Sequence, residues 1–98
     1  MALKKYEKLI VYKGVDIVVD TRNAEDADFL FAISKLMDGD LETTEQMTWW
    51  TRAMESLFGD GAYAVMKRLK QAHGGHMSLQ QYEAFVEKVY EELNVKNS

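Results

Sequence analysis

The chain has no cysteine and no proline among its 98 residues. Without thiols there is no disulfide, no thiolate zinc site and no cysteine nucleophile. No apolar run approaches the ~20 residues of a membrane span. The start, Met-Ala-Leu-Lys-Lys-Tyr-Glu-Lys, lacks the apolar block of a signal peptide. Serine- or glycine-rich linkers, internal repeats and low-complexity stretches are also missing. These absences lead us to expect one soluble cytoplasmic domain spanning 1–98, of a size that buries only about 60–65% of its unfolded surface. What is abundant is aromatic and sulfur-containing: two Trp, five Tyr, four Phe and six Met. A core this small need not hold all of them.

Charge is unevenly placed. Residues 1–15 carry four lysines against one glutamate, whereas residues 16–60 carry eleven acids against three bases. An acidic middle argues against nucleic acid, where a basic stripe supplies most of the affinity. The short basic runs Lys4-Lys5 and Lys67-Arg68, with Lys70, read as solvated surface.

The pattern predicts an α+β fold: an N-terminal β-hairpin over 5–20, then about four α-helices in a compact bundle over 24–94. Leu9–Tyr12 and Val15–Val19 are β-rich, with Lys13-Gly14 as a two-residue turn. Val15, Ile17 and Val19 share one face, with Asp16, Val18 and Asp20 on the other. Two strands alone are marginal in water, so one face must pack on helices or on another subunit. The unpaired edges predict a homo-oligomer.

The first helix is expected over 24–37, capped by Asn23, with Phe29, Leu30, Ile33, Leu36 and Met37 as its apolar stripe. Thr43 and Gln46 have capping-box spacing for a second helix over 44–58, which presents Met47, Trp50, Met54 and Leu57. Gly59 can close it and Asp60 can cap a third, over 61–72, that buries Ala62, Val65, Met66 and Leu69. Ser78 and Gln81 repeat the capping box before a last helix over 79–93. Its stripe is Leu79, Tyr82, Phe85, Val86, Val89, Tyr90 and Leu93. The tail, Val95 to Ser98, should be loose.

Catalytic signatures are weak. His73 and His76 flank two glycines, a poor scaffold for a metal site. In Asp38-Gly39-Asp40-Leu41-Glu42 the glycine follows the first acid directly, which the EF-hand ligand order forbids. Gly59-Asp60-Gly61 lacks the Lys-Ser/Thr ending of a phosphate loop. Carboxylates cluster at helix starts, where capping and the helix dipole account for them. We therefore expect no enzyme and no cofactor.

Phe31, Trp49 and Tyr63 fall off or beside the main stripes of their helices, and Met47 sits at the edge of one. Trp and Tyr are favoured binding anchors, and Met suits adaptable apolar contacts. These four are the candidate partner-binding residues, with rim packing of a small core as the plain alternative. Trp49, about 100° from Trp50, is expected to be partly exposed, so that Trp49→Ala keeps the native melting temperature while losing the partner.

The order of elements resembles the small tail assembly chaperones of long-tailed bacteriophages and prophages. The matching segments are Lys8–Val19, Ser56-Leu57-Phe58-Gly59-Asp60-Gly61-Ala62 and Tyr82–Leu93. The His73-Gly74-Gly75-His76 loop has no counterpart in that pattern. The resemblance implies a chaperone in the bacterial host cytoplasm. It would keep the long helical tape measure protein soluble, help deliver tail tube subunits and be absent from the finished virion. Some members of that family self-associate. The alternative is a generic adaptor or regulatory domain with an unrelated protein partner.

Overall fold

A computed structural model describes residues 3–94. The expected loose tail, 95–98, lies outside the described residues. Strands β1 (Glu7–Tyr12) and β2 (Val15–Asp20) form an antiparallel hairpin. Lys13 and Gly14 both have positive φ, 52° and 80°, the backbone of a type I′ turn. Pairs run from Tyr12 opposite Val15 to Glu7 opposite Asp20, with Ile10 facing Ile17. This register puts Ile10, Ile17 and Val19 on the buried face. Leu9 and Val11 lie on the outer face at 41% and 53% exposure.

Lys8 ties the hairpin to the end of the chain. Its Nζ donates to the Glu92 carbonyl at 2.7 Å and lies 3.7 Å from the Glu92 carboxylate. A lysine is suited to this: its stem covers apolar surface while its head meets the negative pole of a helix.

Helix α1 (Ala27–Leu36) begins later than the sequence pattern predicts. A 3-10 turn occupies Thr21–Glu25, started by the Asp20 side chain, which accepts the Arg22 N–H. Asn23 is not the cap. Its Nδ2 donates to the Leu57 carbonyl at 2.9 Å, which ties this turn to the next helix. Asp26 caps instead, accepting the Asp28 N–H at 2.8 Å. The buried stripe of α1 is Phe29, Ala32 and Ile33, while Leu30 and Met37 face outward. Small Ala32 belongs to the interior and two larger residues do not.

Helix α2 (Thr43–Phe58) buries Trp50, Ala53, Met54 and Leu57, but leaves Met47 exposed. The expected Thr43–Gln46 capping box does not form. Glu42 is the cap residue, Thr43 is already helical, and the Gln46 N–H goes to the Glu42 carbonyl. Gly59 ends α2 with φ 56°, a value that disfavours a side chain, and its N–H closes on Glu55. A 3-10 turn at Gly59–Gly61 leads into α3 (Ala62–Ala72), where Gly61 rather than Asp60 stands at the cap with no side-chain bond. Ala62 and Leu69 are buried, with Val65 and Met66 partly so.

Helix α4 (Leu79–Asn94) starts with the predicted capping box. Ser78 Oγ accepts the Gln81 N–H at 3.2 Å, and Gln81 Oε1 accepts the Ser78 N–H at 2.7 Å. Phe85, Val86, Val89 and Leu93 enter the core. Leu79, Tyr82 and Tyr90, expected in the same stripe, are only partly buried. The interior is one continuous cluster of hairpin face, α1, α2, α3 and α4. Phe85 is central to it: Tyr12 meets its ring edge-on at 5.3 Å and Phe58 stacks at 6.3 Å.

Candidate partner-binding surface

Phe31 on α1 and Trp49 on α2 meet at the surface. Their ring centroids are 5.2 Å apart at 72°, an edge-to-face pair. Packing of α1 on α2 brings them together, because Phe31 lies off the buried stripe of α1 and Trp49 lies just beside that of α2. Phe31 is 55% exposed. Trp49 is half-buried and packs against the core. Its loss therefore removes packing as well as surface, which makes Phe31 the cleaner probe of binding.

Cations flank the pair. Arg52 lies 4.9 Å from the Trp49 ring centre, and Lys35 lies 5.5 Å from that of Phe31 and 5.9 Å from that of Trp49. Both follow from helical spacing: Arg52 is three residues after Trp49, and Lys35 four after Phe31. An open groove of about 520 Å³ runs beside the rings. Besides Phe31, Trp49 and Arg52, it is lined by Asp26, Asp28, Glu55 and Ser56. The arrangement is an aromatic wall with a charged rim, open to solvent along one side.

The other two candidates lie elsewhere. Tyr63 on α3 is 66% exposed, with Lys67 Nζ 5.4 Å from its ring centre. It borders a second hollow of about 370 Å³ with Met66, Lys70 and Tyr82. Tyr82 packs on Trp50 at 4.6 Å, and burial pushes its phenol pKa up. Met47 is 53% exposed and lines neither hollow. The structure thus joins two of the four residues into one platform and leaves Tyr63 and Met47 apart from it. Sequence reasoning passed over Leu30 and Met37, which it assigned to the buried stripe, and Arg52 and Lys35, whose spacing to the aromatics was the available signal.

His73 turns inward. Its Nδ1 sits 2.9 Å from the Leu69 carbonyl, and its ring stacks near Tyr12 at 6.1 Å. Among the described residues, no group of three or more His, Asp or Glu is placed to hold a metal ion, and no helix is long and apolar enough to cross a membrane. Glu83, on α4, has its carboxyl pKa pushed up by burial, with a smaller push from Glu87. The chain matches no family model, no curated protein and no solved structure.

Proposed function

We propose that this chain is a non-enzymatic tail assembly chaperone that holds an apolar helical segment of the tape measure protein on its Phe31–Trp49 face. The observation that carries the binding reading is this ring pair, contributed by two helices and open to an adjoining groove. Paired aromatics with a polar rim are the composition of a protein-binding hot spot. A long helix with uncovered apolar stripes needs such a cover, and many small copies bound along it act multivalently. Acidic residues 16–60 keep a chaperone–cargo assembly soluble through net charge. The identity of the cargo rests on the resemblance of the hairpin, the Phe58-Gly59-Asp60-Gly61 turn and the last helix to tail assembly chaperones.

Co-expression tests the proposal. With this chain present, a tape measure protein encoded beside it should move from the insoluble to the soluble fraction and co-purify. A tape measure protein that stays insoluble and unbound contradicts the tail-assembly reading.

A further inference from the structure

The two edges of the hairpin are not equivalent. On β2, the Asp16 carbonyl points outward and accepts the Arg68 guanidinium at 2.6 Å, and α3 packs alongside. That edge is blocked at Asp16, while the outward N–H and C=O of Val18 have no partner among the described residues. On β1, the bonding pattern fixes which groups face out. The two-residue turn makes Tyr12 and Val15 a hydrogen-bonded pair, and the Thr21 N–H bonds the Tyr6 carbonyl at the other end, at 2.7 Å. Even-numbered residues of β1 therefore bond β2, and the N–H and C=O of Leu9 and Val11 point away from it. Among the described residues these four groups have no hydrogen-bond partner. The side chains beside them, Leu9 and Val11, are apolar and uncovered.

We propose that β1 is an assembly edge onto which a second copy of this chain docks by antiparallel strand pairing. Of the two-fold registers, one pairs both outward apolar residues with apolar partners. With Ile10 of the two copies flanking the two-fold axis, Leu9 of each copy faces Val11 of the other, and Glu7 faces Lys13. Backbone donors and acceptors of Leu9 and Val11 are then satisfied across the interface, and an opposite-charge pair closes each end. Shifting by two residues one way sets Val11 against Glu7 and Lys5 against Lys13. Shifting the other way sets Leu9 against Lys13. Each shift keeps a single apolar pair, Leu9–Leu9 in the first and Val11–Val11 in the second, and the first also opposes like charges. The joined hairpins form a four-stranded sheet whose outer face carries Leu9, Val11 and Val18 from each copy. This interface is separate from the Phe31–Trp49 platform, so either can fail without the other.

Sedimentation equilibrium of the full chain, from about 10 µM to about 500 µM, tests it. The expected result is a monomer–dimer equilibrium. Glu7→Lys and Lys13→Glu should each weaken the dimer roughly tenfold by turning two attractive pairs repulsive. The combined exchange should restore it, an outcome that a mere change in folding would not produce. Val11→Pro removes an outward N–H without touching the bonds to β2, so it should yield a folded monomer. A single-chain mass at about 500 µM overturns the proposal. So does a dimer indifferent to both charge reversals.

Discussion

Removing Trp49 should destabilise the domain about twice as much as removing Phe31, although the two rings touch each other. A fully buried Trp or Phe cut to Ala costs roughly 3–5 kcal/mol. Trp49 is half-buried against the core, so Trp49→Ala should cost about 2 kcal/mol. Phe31 is 55% exposed and contributes chiefly the edge-to-face contact, so Phe31→Ala should cost about 1 kcal/mol. In a domain of this size each kcal/mol moves Tm by about 4–8 °C, which predicts losses of ~10 °C and ~5 °C. Thermal unfolding followed by far-UV circular dichroism separates them. Because the rings share one contact, the double mutant should lose about 1 kcal/mol less than the two single losses combined. Equal losses, a larger loss for Phe31→Ala, or strict additivity would refute the packing described for this pair.

Two further outcomes follow from the caps and the surface ion pair. Ser78→Ala should lower stability by about 1 kcal/mol, because it breaks a formed capping box, while Thr43→Ala should change it by less than about 0.5 kcal/mol; urea unfolding of both variants compares them directly. At the surface, hydrogen bonds from the Arg22 side chain and backbone N–H hold Asp20 at a pKa of about 2, below its ordinary 3.8. A carboxyl depressed in the folded state contributes stability that is complete above pH 3.8 and fades as pH falls towards 2. A carbon-13 NMR titration should show this midpoint, and Arg22→Ala should return it towards 3.8.

The elements themselves were legible because their signals are local. Lys13-Gly14 marks the turn, period-two alternation sets the buried face of β2, and Ser78 with Gln81 starts α4. Signals that depend on a distant partner were not. Asn23 looks like a cap in isolation, but folding offers it the Leu57 carbonyl, and Asp26 takes its place. Thr43 and Gln46 have capping-box spacing, yet the chain turns helical one residue earlier. Apolar residues at helical spacing put Leu30 and Met37 in the α1 stripe, whereas packing against α2 buries Ala32 and leaves both of them exposed. Of the candidate surface, the residues were readable one by one from helical phase. That Phe31 and Trp49 form one platform, with Tyr63 on another element, depends on how α1 packs on α2, and neither helix encodes that separately.

The most direct test is a calorimetric titration of tape measure helical segments into the wild-type chain and into Phe31→Ala. Truncating a binding anchor costs about 2 kcal/mol or more, so Phe31→Ala should bind at least roughly thirtyfold more weakly while remaining folded. Unchanged affinity in a folded Phe31→Ala protein would contradict the claim that this aromatic face holds the partner.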